Sequence, residues 1–367
     1  MISFLVPRDD AFTIREYLER SGRALSSQMS ILHYEDLPAW QTLPSGAFIL
    51  AGLDQLTPAG ARMLEELCGE LLRSGPGVRL LNSPVATLLR LPLLEELYRR
   101  GLNWHRAARA SGDYRGLRFP VFVREEHWHS GTLSPLLKTP AELEAALARA
   151  IVRGHRLNDL LVVEFCDTAD ADGFFRKYAA FVVGSEIIPR HIAHARSWMV
   201  KHAGAEFTEP MVLEERAYVL ENPHERELRS IFEIARTEYG RIDYSLKNGV
   251  IQTWEINTSP TIGAGARSSS ARIPQELQPL RQVAKDHFYR RFQAAFEAVD
   301  AGGEAARQIP IAWSPESLRP PLAMTRVQNP GRRMAAARRV LRPFRSQIDR
   351  LAGAISPVLV RIARRAR

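Results

Sequence analysis

The chain has 367 residues, 45% of them hydrophobic, which is enough for two or three compact units that each bury a core. Its two cysteines, Cys68 and Cys166, lie far apart in sequence, which argues against a disulfide framework or a cysteine-based zinc site. The formal net charge is +9, but residues 301–367 alone carry +11, which leaves −2 for the first 300 residues. The positive charge therefore predicts an anionic binding partner only for residues 301–367.

The first 85 residues alternate between predicted strands and helices. Strands are predicted at 2–6, 47–51 and 78–81, and helices at 11–21 and 57–74. In the second helix, Thr57 can cap the N-terminus and Pro58 suits the first turn. This alternation predicts a small N-terminal α/β domain over residues 1–85.

Helices and strands also mix between residues 84 and 299. Helices are predicted at 84–100, 139–153, 223–239 and 276–299, and strands at 119–124, 160–165, 177–183 and 185–191. From residue 301 the sequence turns to Gly, Pro and Arg without a clear core. The pattern predicts a mixed α/β (α+β) protein with domains at 1–85 and 86–300 and a Pro/Arg-rich tail at 301–367.

The stretch YGRIDYSLKNGVIQTWEINTSP, residues 239–260, carries the most specific pattern. Asn248-Gly249 is a strong hairpin signal between strands predicted at 242–246 and 250–256. Side chains alternate along a strand, so Glu255 and Asn257 share one face.

The position of Asp243 depends on the turn. It shares the face of Glu255 only if it pairs with Thr253 or Glu255, and a three-residue turn at 247–249 would produce that register. Two carboxylates and an amide oxygen are hard ligands that suit Mg²⁺ together with phosphate oxygens. The alternative is a solvated hairpin with incidental acids, but the joint pattern favours the metal site.

This joint pattern, Gly-Arg-Ile-Asp, a turn and Trp-Glu-Ile-Asn-Thr-Ser-Pro, resembles the C-terminal signature of the ATP-grasp superfamily, most closely that of the D-alanine–D-alanine ligases. A weaker resemblance covers roughly residues 80–300. Within it, NSP at 82–84, PVFVR at 120–124, LLVVEFCDT at 160–168 and KYAAFVVGSEIIP at 177–189 are similar to family segments. The resemblance implies an ATP-grasp fold whose two lobes lie in residues 86–300 with a hinge near 160–168.

The resemblance also implies roles for single residues. Asp243, Glu255 and Asn257 match the magnesium ligands, and Arg241 matches an arginine that stabilises charge on the carboxyl group under attack. A surface arginine paired with an acid is the open alternative for Arg241. Nucleotide contacts are implied for Arg124, Glu164, Phe165, Cys166, Asp172, Lys177 and Lys201.

These nucleotide contacts differ in kind. Arg124 and Lys201 are candidates for phosphate, and the backbone of Phe165 and Cys166 for adenine, whereas Asp172 or Lys177 would reach the ribose or phosphates. For each single residue, a solvated surface role is the alternative.

One segment departs from the family pattern. Where the ligases carry a glycine-rich loop over the phosphates, this chain reads EEHWHSGTLSPLL with the single glycine Gly131, so backbone amides approach a phosphate less freely. His127 and His129 stand two apart without an obvious third ligand, which argues against a metal site there. The departure puts catalysis itself in question.

The function implied is an ATP- and Mg²⁺-dependent ligase that joins the carboxylate of a small molecule or peptide to an amine through an acyl phosphate. Two alternatives stay open: a non-catalytic nucleotide-binding protein recruited by its Arg-rich tail, and a kinase that uses the same fold. The sequence does not identify the substrate. Loop residues 263–271, with serines at 268–270, are candidates for substrate contact or for capping a turn.

The tail is strongly basic, with 11 Arg and one Asp in residues 332–367. Its apolar residues recur at near-helical spacing, which predicts an amphipathic basic helix. Such a helix would bind an anionic membrane, RNA or an acidic partner, and a disordered solvated tail is the alternative. The N-terminus lacks a signal-peptide pattern and the late apolar run LAGAISPVLVRI is too short to cross a bilayer, so a cytoplasmic protein is expected, with the tail as a candidate membrane contact.

Overall fold

The computed structural model describes residues 1–129, 131–200, 204–263, 273–300, 307–318 and 323–326. The predicted mixed α/β class is confirmed. The predictions for Lys201, for residues 264–271 and for the helix within 332–367 lie outside the described residues.

The helices and strands are, in chain order, β1 (Ile2–Val6), α1 (Phe12–Glu19), β2 (Met29–His33), β3 (Thr42–Pro44), β4 (Gly46–Leu50), α2 (Pro58–Arg73), β5 (Val78–Leu81), α3 (Arg90–Arg99), β6 (Ala107–Arg109), β7 (Val121–Glu125), α4 (Pro140–Val152), β8 (Leu160–Glu164), β9 (Phe175–Val183), β10 (Glu186–Ala195), α5 (Glu209–Glu221), α6 (Glu225–Ala235), β11 (Tyr239–Lys247), β12 (Val250–Asn257), α7 (Gln278–Val299) and β13 (Gln308–Pro310). Short 3₁₀ turns lie between several of them.

Two predicted helices have the wrong bounds. The helix expected from residue 84 begins at Arg90, because the backbone N–H of Leu88 donates to the carbonyl of Ala235 (2.8 Å) and leaves the helical pattern. The helix expected to reach residue 239 ends at Ala235, because Arg236 takes a left-handed conformation with φ of 51°. Helix α5 was not predicted, since its apolar residues do not form a single stripe.

The chain divides into two compact units, one formed by residues 1–89 with 168–326 and the other containing residues 90–167. The predicted domain boundaries at residues 85 and 300 stay predictions.

The first unit contains a parallel sheet and an antiparallel sheet of four strands each. The parallel sheet has the strand order β2-β1-β4-β5, and β1 is buried along its whole length, as an apolar strand covered on both faces should be. Thr57 caps α2 as predicted, since its side chain accepts a hydrogen bond from the N–H of Gly60 (3.0 Å). The antiparallel sheet has the order β10-β9-β11-β12.

Asn82 fixes β11 to the parallel sheet within this unit. Its side-chain N–H groups donate to the carbonyls of Leu50 (2.9 Å) and Tyr239 (2.8 Å), and its oxygen accepts from the N–H groups of Glu238 (2.9 Å) and Tyr239 (3.1 Å). Asn82 is 3% exposed and has φ of 70°, a conformation that asparagine tolerates better than most residues. The start of β11 is therefore held by one buried amide.

Helix α7 covers the antiparallel sheet with aromatic side chains. Phe181 of β9 lies with its ring centroid 5.5 Å from that of Phe288 and 5.0 Å from that of Phe292. All three rings are fully buried, so this packing secures the strand that runs beside β11.

The second unit has a three-stranded antiparallel sheet of order β6-β8-β7, with α3 and α4. Strand β8 is buried throughout, and Leu143 and Leu147 of α4 pack into the same core. In the described ranges of both units, no helix has the length and apolar character needed to cross a membrane.

Candidate active site

The β11–β12 hairpin closes with a two-residue turn. Asn248 and Gly249 both have positive φ angles, of 52° and 77°, and Lys247 pairs directly with Val250. This is the backbone of a type I′ turn, which Asn-Gly favours. The predicted three-residue turn is therefore wrong, because Asn248 and Gly249 close the hairpin without a third residue.

A β-bulge corrects the register beyond the turn. Pairing that continued from Tyr244 and Thr253 would set Asp243 opposite Trp254. Instead the register shifts between Asp243 and Tyr244, and Asp243 pairs with Glu255. The extra residue, Trp254, donates from its indole Nε1 to Oγ of Ser245 (3.0 Å). The two carboxylate-bearing residues are thus direct neighbours on adjacent strands, as predicted, but for a different structural reason.

Asp243 is a buried carboxylate held by two cations. Its Oδ2 accepts from Nζ of Lys177 (3.0 Å), and its Oδ1 accepts from Nε of Arg241 (2.8 Å). Burial works to raise the pKa of Asp243, but the charges of Arg241 and Lys177 outweigh it and hold that pKa below its usual value. The carboxylate is therefore ionised at neutral pH.

Arg241 is thus paired with an acid, which was the alternative interpretation of this residue. Its side chain is 15% exposed, so the pair is half-buried and not a solvated surface contact. The pairing leaves the predicted catalytic role of Arg241 as a prediction.

Lys177 reaches Asp243 because of the β9–β11 register. Ala179 pairs with Asp243 and Tyr178 with Tyr244, so Lys177 lies two residues from Ala179 on the same face. Sequence reasoning assigned Lys177 to ribose or phosphate and missed this contact.

Asn257 is buried at the end of β12, opposite Arg241. Its Oδ1 accepts a hydrogen bond from the N–H of Ser259 (2.8 Å), which turns the chain after the strand. The next residue, Thr258, accepts at Oγ1 from the N–H of Leu53 (3.1 Å). The Asn-Thr-Ser segment therefore fixes the end of β12 as well as supplying an oxygen.

The donor atoms fit Mg²⁺. Asp243 and Glu255 supply two carboxylates and Asn257 an amide oxygen, which are the hard ligands that this ion prefers. A carboxylate has about four lone-pair positions, so the two hydrogen bonds to Asp243 leave capacity for a metal bond. The described residues contain no group of three His, Cys, Asp or Glu side chains that could hold an ion alone, so an ion bound by Asp243 and Glu255 would also need Asn257 or phosphate oxygens.

In the second unit, Glu164 ends β8 and is 1% exposed. Its carboxylate accepts from Nε of Arg106 (2.9 Å) and Nη2 of Arg118 (2.9 Å), and from the backbone N–H groups of both arginines (3.0 and 2.7 Å). Burial works to raise the pKa of Glu164, but the hydrogen bonds from Arg118 and Arg106 lower it to about 2. Both carboxylate oxygens thus hold arginines, and the residue anchors the end of this strand.

The other residues predicted to contact the nucleotide lie in separate segments of the chain. The N–H of Phe165 donates to the carbonyl of Pro120 (2.9 Å), and Cys166 is half-buried. Arg124 is half-buried on β7, where it pairs with Leu161. Asp172 is exposed in the first unit, before β9.

The divergent segment after β7 is tied to α3. Nη2 of Arg90 lies 3.0 Å from Nδ1 of His129, and Nη1 of Arg90 donates to the carbonyl of Glu125 (3.0 Å). Nε2 of His127 lies 3.6 Å from Oε2 of Glu126. Arg90 is 4% exposed, so a buried arginine fixes the start of this segment.

No protein-family model matches the chain, and no curated protein matches it significantly. Similar solved structures include the D-alanine–D-alanine ligase of Bacillus anthracis complexed with ATP, at 12% identity and a TM-score of 0.44 over 82% of this chain and 99% of that one. The D-alanine–D-alanine ligase of Coxiella burnetii matches at 13% identity and a TM-score of 0.45, over 81% and 97%. The ATP-grasp ligase PsnB, complexed with a phosphomimetic variant of its minimal precursor, Mg and ADP, matches at 13% and 0.42, over 78% and 97%.

ATP-grasp ligases are thus among the structures similar to this chain.

Proposed function

We propose that the protein is an ATP- and Mg²⁺-dependent ligase that joins a carboxylate to an amine. The observation that carries the proposal is the direct pairing of Asp243 with Glu255, with Lys177 and Arg241 bound to Asp243. A buried carboxylate and a half-buried one beside two cations are suited to hold a metal ion and its anionic ligands, and a structural hairpin has no need of them.

Asp243, Glu255 and Asn257 would hold the magnesium ion. When bound, the ion neutralises charge on the phosphate oxygens of ATP. Lys177 and Arg241 keep Asp243 ionised in the absence of the ion. Lys177 and Arg241 would share Asp243 with the ion, and their remaining donors would be available to oxygens of the phosphate or of the substrate carboxyl group.

In the proposed reaction, an oxygen of the substrate carboxylate attacks the γ-phosphorus of ATP. The bond from that phosphorus to the β–γ bridging oxygen breaks and ADP leaves. The amine nitrogen then attacks the carbonyl carbon of the acyl phosphate, an amide bond forms, phosphate leaves and the amine proton passes to solvent. Arg241 would stabilise the negative charge on the carbonyl oxygen during the second attack.

The remaining site assignments are proposals carried by the sequence resemblance. They place Arg124 and Lys201 at phosphate, Phe165 and Cys166 at adenine, and Asp172 near the ribose. Glu164 would act by positioning the end of β8, since its oxygens hold Arg106 and Arg118. The Arg-rich segment 332–367 would bind an anionic surface. Deletion of residues 332–367 should then change the cell fraction in which the protein is found.

The test of the proposal is product analysis with saturating Mg-ATP and a panel of amino acids and peptides. A ligase releases ADP and phosphate only when a carboxylate and an amine substrate are both present, and yields a product one water lighter than their sum. A phosphorylated hydroxyl product would instead establish a kinase. Absence of ADP with every substrate pair contradicts the ligase proposal.

Glu255→Gln should abolish this turnover. Glu238→Gln is the matched control, since Glu238 directly precedes β11 but has an exposed side chain. The control variant should react like the wild type.

A further inference from the structure

A second group of charged residues in the first unit has no part in the site described above. Arg190 of β10 is 9% exposed and Arg281 of α7 is 8% exposed. The guanidinium of Arg190 lies 4.4 Å from the ring centroid of Phe288 and 5.5 Å from that of Tyr289. Lys285, half-buried, follows Arg281 by one helical turn. Arg190, Arg281 and Lys285 are called the cation cluster below.

The cation cluster has too little negative charge around it. Nε of Arg281 donates to Oε1 of Glu215 on α5 (2.9 Å). Among the described residues, Glu215 is the buried acid that contacts the cation cluster. Asp286, the other nearby acid, is exposed and accepts from Gln282 (2.7 Å). Burial and the charges of Arg281 and Arg190 lower the pKa of Lys285. Three cations therefore share one buried carboxylate.

One buried guanidinium nitrogen of the cation cluster lacks an acceptor within the part of the chain that the structure describes. Nη1 of Arg281 is buried without a hydrogen-bond partner. Arg190 donates from Nε to the carbonyl of Ile262 (3.4 Å). Buried cationic donors are costly to leave unpaired, and most buried polar groups in proteins are paired. The open donor of Arg281, beside two further cations, indicates a missing anionic ligand.

The cation cluster lies near the candidate metal site. Ile262, which contacts Arg190, follows Asn257 by five residues. The charge of Arg241 also acts on Arg190, whose pKa is lowered mainly by burial. An anion bound by Arg190 and Arg281 would therefore be close to a reaction at the β11–β12 hairpin.

We propose that Arg190, Arg281 and Lys285 bind a carboxylate of the substrate, so that the ligase acts on an acidic compound. This inference rests on the proposed function. The planar fork of a guanidinium binds a carboxylate through two parallel hydrogen bonds. A nucleotide phosphate has similar chemistry, but the proposed function already assigns the phosphates to the metal-binding hairpin.

The test measures thermal stability of the full chain against increasing succinate, L-glutamate or inorganic phosphate, at constant ionic strength and without nucleotide or Mg²⁺. A ligand that binds a specific site of the folded state raises the melting temperature as its concentration increases past its Kd. The variants are Lys285→Gln and the double variant Arg281→Gln with Glu215→Gln, which keeps an amide pair between α7 and α5. Arg290→Gln, on the exposed face of α7, is the control.

We expect saturable stabilisation by succinate or L-glutamate in the wild type and in Arg290→Gln. The apparent Kd should rise about tenfold or more in Lys285→Gln and in the double variant. Absence of saturation by both carboxylates in the wild type would overturn the inference.

A loss of stabilisation by Mg-ATP in the cation-cluster variants would also overturn it, because the bound anion would then be a nucleotide phosphate. The two proposals fail separately. Carboxylate binding that persists in Glu255→Gln, in a protein that never responds to Mg-ATP, would support the cation cluster and contradict the ligase.

Discussion

Nζ of Lys177 lies 3.0 Å from Oδ2 of Asp243, across adjacent strands of one sheet. The same carboxylate accepts from Nε of Arg241 at 2.8 Å. The proposed metal ligand is therefore charge-balanced before any ion binds. This arrangement keeps Asp243 ionised inside the protein and links the stability of the hairpin to the charge of a residue on β9.

Lys177→Met should destabilise the fold by about 1–3 kcal/mol at pH 7, since Asp243 loses one buried partner but keeps Arg241. The contribution of Asp243 to stability is full above the pKa that it has in the unfolded chain. It is lost as pH falls toward the lower pKa of the folded state. The difference in unfolding free energy between wild type and variant, measured in urea, should therefore shrink below about pH 4.

The control for this prediction is Lys247→Met, in the same hairpin, where Lys247 makes no ion pair within the described residues. It should change stability by less than about 0.5 kcal/mol. An equal loss in both variants would contradict the assigned role of Lys177.

Glu164→Gln should cost about 2–4 kcal/mol of unfolding free energy at pH 7. It leaves Arg106 and Arg118 without their shared carboxylate, and the cost is moderated because both arginines are partly exposed. Because the pKa of Glu164 is lowered to about 2, its stabilisation is full above about pH 4.5 and falls between that pH and about pH 2.

Acid unfolding followed by circular dichroism checks this prediction. The wild type should lose stability more steeply than Glu164→Gln as pH falls below about 4.5. Glu209→Gln, an exposed position in α5 whose side chain makes no hydrogen bond or ion pair among the described residues, should follow the wild type. Parallel acid transitions in wild type and Glu164→Gln would contradict the account.

Gly249→Ala should destabilise the protein by about 1 kcal/mol, because φ of 77° at this position disfavours a side chain, although an added Cβ would meet no atom within 4 Å. Gly263→Ala is the matched control, since its surroundings are equally open and its φ is not positive. Thermal unfolding distinguishes the two. Equal melting temperatures would contradict the two-residue turn.

Asn82→Ala should cost about 3–5 kcal/mol, because it leaves buried backbone groups of Leu50 and Tyr239 unpaired and puts alanine at a positive φ. Asn82→Gly loses the same hydrogen bonds but accommodates the positive φ, so it should be about 1 kcal/mol more stable than the alanine variant. Hydrogen exchange in both variants should show earlier opening of β11 than of β1. Uniform exchange across both strands would contradict a local role.

The sequence predicted the elements that depend on local patterns. The Asn-Gly turn, the Thr57 cap and the pairing of Asp243 with Glu255 follow from residues near each other in the chain. The three-residue turn was wrong because Asn248 and Gly249 close the hairpin alone, and the sequence does not reveal the bulge at Trp254 that sets the register beyond the turn.

Contacts between distant segments could not be predicted. Lys177 meets Asp243 across 66 residues, and Arg106 and Arg118 meet Glu164 across 58 and 46. Such contacts depend on strand order and register, which hydrophobic periodicity leaves open. Glu164 is the clearest case: its place at the end of a strand suggested a ligand, but its oxygens bind two arginines.

The most direct test of the central claim is thermal stability with ATP, with and without Mg²⁺, in the wild type, Glu255→Ala and the control Glu238→Gln. A ligand that binds the folded state raises stability with its occupancy. We expect a Mg²⁺-dependent rise in melting temperature in the wild type and in Glu238→Gln, and its loss in Glu255→Ala. A rise that is equal in all three proteins, or absent from the wild type, would contradict a magnesium-nucleotide site at Asp243 and Glu255.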